Sequence, residues 1–496
     1  MTTLVELARS LSAELLHPLG ADAEAAEAAA SVSVADISHD SRRVTPGTMF
    51  ACIPGSSADG HSFASEAVAA GAVALLVQHR QHAADADAGV PALLVPSVRK
   101  ALGPAAALVH GSPSQHLDLV GVTGTNGKTT TVRLTAELFR AAGRKTVEMG
   151  TLTGALTTPE ATDLQRTLAQ GVTAGAAAAV VEVSSHGLAQ HRLDGCRFKV
   201  AAFTNLGRDH LDFHGSMERY FLAKERLFSD GLAESAVVDV TGAWGRRLAE
   251  IISSRKLMPL TIIDLNTVEV IESAAQYSIF RWRDQTVKLP LAGSFNQANA
   301  LLAAEMALQL GLSIAEVAAG LAAVRPVPGR FEIVETQDGQ DFQVIVDYAH
   351  TPDALATSLQ AARSFTEGRL IVVFGAGGER DHGKRSEMGA VAEQLADLVI
   401  VTSDNPRNED PHKIMQMIAD GMKREPELSE PDRRCALRHS LKAASRGDTV
   451  LVAGKGHERY QVIGDRTLAF DDREVVTQEL AHLTASGETR RSELER

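Results

Sequence analysis

Gly121-Val122-Thr123-Gly124-Thr125-Asn126-Gly127-Lys128-Thr129-Thr130 follows the run Leu117-Asp118-Leu119-Val120 and leads into Thr131-Val132-Arg133-Leu134-Thr135-Ala136-Glu137-Leu138. The order reads as a buried strand, a glycine-rich turn and a helix. Leu134, Leu138 and Ala141 fall on one helical face, and Gly143 suits the helix stop. In such a turn backbone N–H groups and the helix dipole surround phosphate oxygens. Lys128 can then reach the terminal phosphates, and the Thr129 hydroxyl can bind Mg²⁺. The usual pattern has a glycine where Val122 stands, with the glycines here at Gly121 and Gly124, so the loop is a variant. Residues Gly124, Thr125, Asn126, Gly127, Lys128, Thr129 and Thr130 are the candidate nucleoside-triphosphate contacts. ATP binding alone does not specify a reaction.

Outward from this loop, apolar runs alternate with Ala- and Leu-rich segments of helical period, the pattern of an α/β protein with largely parallel sheets covered on both faces. A chain of 496 residues exceeds the size of a single core, and three domains are expected. Composition breaks at His110-Gly111-Ser112-Pro113-Ser114 and at Val324-Arg325-Pro326-Val327-Pro328-Gly329 set expected boundaries of 1–113, 114–328 and 329–486. Residues 487–496 read as a frayed polar tail. The formal charge of −13 argues against a broad nucleic-acid-binding face, so anionic ligands must meet local positive charge. Cys52, Cys196 and Cys435 have neither zinc-site nor disulfide spacing, as expected of a reducing cytoplasm. No run approaches the roughly 18 apolar residues of a membrane span. Met1-Thr2-Thr3-Leu4-Val5-Glu6 lacks a secretion signal, so a cytoplasmic, membrane-free protein is expected.

Further motifs close other strands: Val181-Glu182-Val183-Ser184-Ser185-His186-Gly187, then Asn205-Leu206-Gly207-Arg208-Asp209-His210-Leu211, and a helix with Tyr220-Phe221-Leu222-Ala223-Lys224-Glu225-Arg226. Taken alone, Glu182 and His210 are ordinary strand-end residues and Lys224 is a solvated charge. Together with the phosphate loop they resemble the Mur ligases and the related folylpolyglutamate synthetases. The resemblance runs through roughly residues 30 to 475. It implies an N-terminal UDP-binding α/β domain, a central P-loop ATPase-like parallel-sheet domain and a C-terminal Rossmann-like domain. It also implies catalytic roles for Lys128, Glu182, His210 and Lys224. Two Mg²⁺ ions would be held by Thr129, Glu182, His210 and Lys224, the last as a CO₂-derived carbamate that turns a cation into an anionic oxygen ligand.

By the same resemblance, Asn296 in Gly293-Ser294-Phe295-Asn296 meets adenine, Arg330 a phosphate and Asp347 the ribose. The residue types agree with those partners. His39 and Ser41, with the loop Ser56-Ser57-Ala58, resemble the UDP segments of ligases that add the third peptide residue. Thr157, Thr158, Ser184, Gln190 and Arg192 match contacts to a muramoyl peptide. In the last third, Arg380, Asp404-Asn405-Pro406-Arg407, Gly454 and Glu458 follow strands expected at 370–374, 398–402 and 449–453. Loops at the carboxyl ends of parallel strands are where open α/β sheets bind ligands. The tetrapeptide 404–407 marks the branch of the family that uses meso-diaminopimelate. Arg380 and Arg407 can pair with carboxylates while Glu458 accepts from a distal ammonium.

The implied reaction is amide formation through an acyl phosphate. The expected small-molecule partners are ATP, a UDP-muramoyl dipeptide and meso-diaminopimelate, with no nucleic acid or obligate protein partner and a monomeric state. An L-lysine-adding or folate-extending ligase, and a nucleotide-dependent regulatory protein without ligation, are the competing readings.

Overall fold

A computed structural model describes residues 2–17, 23–55, 58–81, 89–334 and 340–486. The expected tail, and Ser56 and Ser57 of the expected UDP loop, lie outside the described residues. The α/β architecture is as anticipated. The central sheet is six-stranded and wholly parallel, in the spatial order Leu260–Ile263, Ala236–Asp239, Val200–Phe203, Asp118–Thr123, Ala178–Glu182, Thr146–Met149. Successive side chains alternate faces. Val120, Val122, Val180 and Ala202 therefore share one core with Leu134, Leu138, Leu301 and Leu302 of the helices Lys128–Ala141 and Ser294–Gln309. Leu119, Val181 and Phe203 face the other way, against Leu164, Tyr220 and Phe221 of Ala161–Thr173 and Met217–Ser229. Ala141 departs from the expected buried stripe and is exposed, because the helix ends at that residue and Gly143 turns the chain at φ +74°.

Toward the N-terminus a five-stranded sheet runs Glu14–Leu16, Ala92–Leu94, Ala72–Val77, Thr48–Ala51, Asp36–Ser38, antiparallel only at its first pair. It is tied to the central helix Ala161–Thr173: Arg166 donates to Asp36 at 3.0 and 3.1 Å, and Arg43 pairs with Asp163 at 2.8 Å. In the last third a six-stranded sheet runs Glu332–Ile333, Gln343–Asp347, Thr449–Ala453, Leu370–Phe374, Leu398–Thr402, Leu428–Glu430, antiparallel only at its first pair. The three strands expected there are the three observed. The carboxyl ends of Leu398–Thr402 and Thr449–Ala453 are anchored by Arg433, which donates to Ser403 O at 3.2 Å, to Ala453 O at 3.0 Å and to both oxygens of Asp472. Arg433 and Asp472 are fully buried, so loss of either would strand the other's charge at a cost of about 3–5 kcal/mol. No helix among the described residues is long and apolar enough to cross a membrane.

Candidate active site

The strand Asp118–Thr123 extends through Val122, which is fully buried in the sheet. The turn is therefore residues 124–127, and this explains why a glycine is not needed at Val122. Gly124 and Gly127 have φ of +150° and +85°. A Cβ at Gly124 would collide with the Thr204 hydroxyl, and one at Gly127 with the Asn299 side chain. Gly127 is the N-cap of Lys128–Ala141 and offers no side-chain cap, which leaves first-turn N–H groups available to an anion. The loop is held by a second one: Thr125 N donates to Asn205 O at 2.9 Å and Asn126 N to Asn205 Oδ1 at 3.0 Å. Lys128 Nζ donates to Gly124 O at 3.1 Å and Thr125 O at 2.8 Å, so the ammonium lies over the turn.

Thr125 to Thr130 line a cleft of ≈ 590 Å³, into which Thr157, Glu182, His210, Arg330, Asp347 and Arg380 also face. Glu182 is 1% exposed, and its carboxylate accepts from Thr151 N at 2.8 Å and Thr151 Oγ1 at 3.2 Å. A Cβ at Gly150 would strike that carboxylate. His210 takes a left-handed conformation, φ +54°, with its N–H donating to Asp209 Oδ1 at 2.9 Å. Burial pushes the His210 imidazolium down to about 3, so the ring is neutral near pH 7 with a lone pair to offer. Lys224 does not line the cleft. It lies beneath the turn, 1% exposed, with Nζ donating to Gly124 O at 2.6 Å and 4.7 Å from the centre of the Tyr220 ring. Burial, reinforced by the charge of Lys128, holds its ammonium well below the usual lysine range.

Arg330 comes from the last third of the chain, yet its Nη2 donates to Thr129 Oγ1 at 3.0 Å while its guanidinium lies 4.2 Å from the Tyr348 ring centre. Asp347 closes its strand, and its Oδ1 accepts from Phe331 N at 2.9 Å and Tyr348 N at 2.8 Å. Asn296 is buried and does not line the cleft; its Nδ2 donates to Ala292 O at 2.8 Å. Asn299, one turn later, lines the cleft instead. Sequence reasoning also passed over Asp239, Thr241 and Trp244, which follow the strand Ala236–Asp239 and form a further wall. The signal available for them was their station at the carboxyl end of a parallel strand.

Thr158, Ser184, Gln190 and Arg192 form one connected group beside Glu182. Thr158 Oγ1 donates to Glu182 O at 2.7 Å, and Ser184 N donates back to that hydroxyl at 2.8 Å. Arg192 reaches Thr158 O at 2.9 Å, Gln190 Oε1 at 2.6 Å and Glu160 at 2.8 Å. His39 and Ser41 follow the strand Asp36–Ser38. His39 Nδ1 lies 3.0 Å from Thr162 Oγ1, which connects this end of the first sheet to the same central helix, whereas Ala58 is exposed. None of Thr158, Ser184, Gln190, Arg192, His39, Ser41 and Ala58 lines the cleft, nor do Asp404, Asn405, Pro406, Arg407, Gly454 and Glu458.

The C-terminal loops make their own cluster. Asn405 Nδ2 donates to Glu458 Oε2 at 2.8 Å, and the fully buried Lys455 donates to Asn405 Oδ1 and Glu458 Oε2, both at 3.2 Å. Lys455 Nζ is 3.7 Å from Asp404, and a Cβ on Gly454 would stand 3.4 Å from that carboxylate. Pro406 O accepts from Glu409 N at 3.0 Å. Arg407, φ +52°, donates from Nη1 to Gly378 O at 2.6 Å, which points its guanidinium toward the loop preceding Arg380. The Glu409 carboxyl is held down to about 2 by its hydrogen bonds from the buried Arg385, and this bidentate pair braces the same two loops.

A parallel sheet whose glycine-rich turn opens an uncapped helix, with basic groups arriving from a second sheet, defines an α/β nucleotide-dependent enzyme. The chain belongs to the Mur ligase family: descriptions of the "Mur ligase family, catalytic domain", "Mur ligase middle domain" and "Mur ligase, glutamate ligase domain" match residues 33–110, 122–307 and 329–456. It is 44% identical over 470 residues to the UDP-N-acetylmuramoyl-L-alanyl-D-glutamate–2,6-diaminopimelate ligase of Synechococcus elongatus, covering 90% of this chain and 94% of that one. The protein of that name from Solibacter usitatus is 43% identical over 470 residues, covering 91% and 94%. A solved structure carrying the same enzyme name superposes with a TM-score of 0.63 at 32% identity, covering 91% of this chain and 95% of its own.

Proposed function

We propose that this chain joins an amine of meso-diaminopimelate to the γ-carboxylate of D-glutamate in UDP-N-acetylmuramoyl-L-alanyl-D-glutamate, with ATP as energy source, in peptidoglycan precursor synthesis. The observation that carries the reading is the meeting in one cleft of the phosphate turn, Glu182 and His210 with Arg330 and Arg380 from the other sheet. The diaminopimelate ligases that this chain resembles supply the substrate class. In this reading residues 1–113 hold the UDP-sugar, 114–328 the ATP and 329–486 the amino acid, in a cytoplasmic enzyme.

The γ-carboxylate attacks the terminal phosphorus of ATP, releasing ADP and forming an acyl phosphate. The amine then attacks the acyl carbon, loses a proton and displaces phosphate. Carboxylate and triphosphate repel one another, so the residues' main task is to concentrate positive charge and hold the two reactants in line. Lys128, Arg330 and the first-turn N–H groups take the phosphates, and Thr158, Ser184, Gln190 and Arg192 orient the peptide. Asn299 and Asp347 flank the nucleoside.

The donors suit Mg²⁺. Thr129 and Glu182 line the cleft and offer hard oxygens, to which phosphate and water oxygens would be added. Mg²⁺, when bound, neutralises phosphate charge. His210 is the candidate donor to a second ion. Lys224 fits carbamylation because burial disfavours its protonated form, and the free amine is the form that attacks CO₂. The carbamate would bring an anion beside Lys128.

Amine choice tests the reading. Arg407 is expected to pair with the distal carboxylate that lysine lacks, so wild type should prefer meso-diaminopimelate over L-lysine by on the order of a hundredfold or more. Arg407→Ala should lower kcat/KM for diaminopimelate far more than for lysine, narrowing the ratio. Equal losses with both amines, at subsaturating amine and saturating ATP and UDP-dipeptide, would remove Arg407 as the selectivity element.

A further inference from the structure

Residues 207–210 pass between the central sheet and the beginnings of two C-terminal helices, Pro352–Arg363 and Gly383–Leu395. Arg208 Nη1 donates to Glu387 Oε1 at 2.6 Å, and Nε donates to Asp381 Oδ2 at 3.3 Å, across sequence separations of 179 and 173 residues. Its neighbour Asp209 is 6% exposed, with Oδ1 3.6 Å from Lys384 Nζ and Oδ2 3.6 Å from His350 Nε2. Two glycines make the approach possible. A Cβ at Gly207 would collide with the Asp353 carboxylate, and one at Gly383 with the Arg208 guanidinium.

On either side of this contact lie residues of the cleft. His210 directly follows Asp209, and its N–H is held by the Asp209 carboxylate, while Arg380 directly precedes Asp381. Asp381 Oδ1 also accepts from Gly383 N at 2.9 Å and so fixes the start of the helix. A pull on Arg208 is therefore transmitted to the loop bearing His210 and to the loop bearing Arg380. Part-exposed ion pairs add little to stability. The space cleared for this one by Gly383 needs another reason, and alignment of the two sides of the cleft provides it.

We propose that Arg208 is a positioning residue which, through Asp381 and Glu387, sets the register between the phosphate-side loop and the amine-side loop, and so governs the turnover step without touching a reacting atom. The proposal rests on the ligase reading above. Misalignment of about an ångström between reacting groups costs on the order of tenfold to a hundredfold in rate. Arg208→Ala should thus lower kcat by on the order of tenfold or more, with KM for ATP within about twofold, because the ATP contacts lie on other residues.

The test is a double-mutant comparison in the full chain, with ATP, UDP-muramoyl dipeptide and meso-diaminopimelate as substrates. Asp381→Asn with Glu387→Gln keeps the shapes and an oxygen acceptor for Gly383 N while removing both charges. It should lower kcat by the same factor as Arg208→Ala, and the triple variant should lose no more than either. Thermal unfolding midpoints should match wild type; if Arg208→Ala alone is unstable, the Asp381→Asn/Glu387→Gln pair carries the kcat measurement. Unchanged kcat in the folded variants, additive losses, or a loss appearing as raised KM for ATP would each overturn the proposal. Wild type that fails to ligate these substrates would instead overturn the ligase reading, so the two failures are separable.

Discussion

Lys128→Ala is expected to reduce ATP-dependent phosphate release by on the order of a thousandfold, with the fold intact. Lys128 is the cation held over the turn, and nothing else on residues 124–130 carries positive charge. Its bonds run to two carbonyls of its own loop, so truncation leaves no distant partner stranded, and the glycine geometry that shapes the turn stays in place. Burial lowers its amine's affinity for a proton, but Glu182 and Asp209 act in the opposite direction, and a bound triphosphate adds to them. Circular dichroism and a thermal melt establish the fold, and a phosphate-release assay with all three substrates reads the activity. Activity within about tenfold of wild type would move the chemistry off this loop.

Lys224→Ala should be impaired by at least about a hundredfold, and short carboxylates such as acetate or formate should restore part of the activity by supplying the missing oxygens. Lys224→Arg should be equally impaired and not rescued, since a guanidinium stays cationic and does not form a carbamate. Lys224 also donates to Gly124 O, so loss of activity alone would fit a purely supporting role for the phosphate turn. Isotope separates the two. Wild type incubated with ¹³C-bicarbonate should show a carbamate resonance that is absent from both variants. An active, ligand-bound wild type with an unmodified Lys224 amine would reject the carbamate and leave the supporting role.

Much of this was legible from residues. The strand, turn and helix around Lys128 follow from apolar run, glycines and period, and the strands Leu370–Phe374, Leu398–Thr402 and Thr449–Ala453 from uninterrupted β-branched and apolar runs. What stayed hidden depends on rotation and on long-range approach. The helix Ser294–Gln309 is buried on nearly every side, so its pattern cannot say whether Asn296 or Asn299 looks into the cleft. Thr151 is one polar residue after a short strand, and its role with Glu182 appears only when Thr146–Met149 and Ala178–Glu182 pair in parallel. Arg208 looks like any loop arginine until residues 173 and 179 positions away come within bonding distance.

On the proposed function, this chain makes one amide bond, from one carboxylate and one diamino acid, with hydrolysis of ATP to ADP and phosphate. The most direct measurement is a mass spectrum of the product formed by wild type from ATP, UDP-N-acetylmuramoyl-L-alanyl-D-glutamate and an equimolar mixture of meso-diaminopimelate, L-lysine and L-ornithine. The diaminopimelate-containing tripeptide should be the dominant species, with ADP and phosphate released in equal amounts and no product when ATP is omitted. A lysine-containing product in comparable yield would contradict the amine assignment, and ATP hydrolysis with no mass added to the UDP-dipeptide would contradict ligation itself.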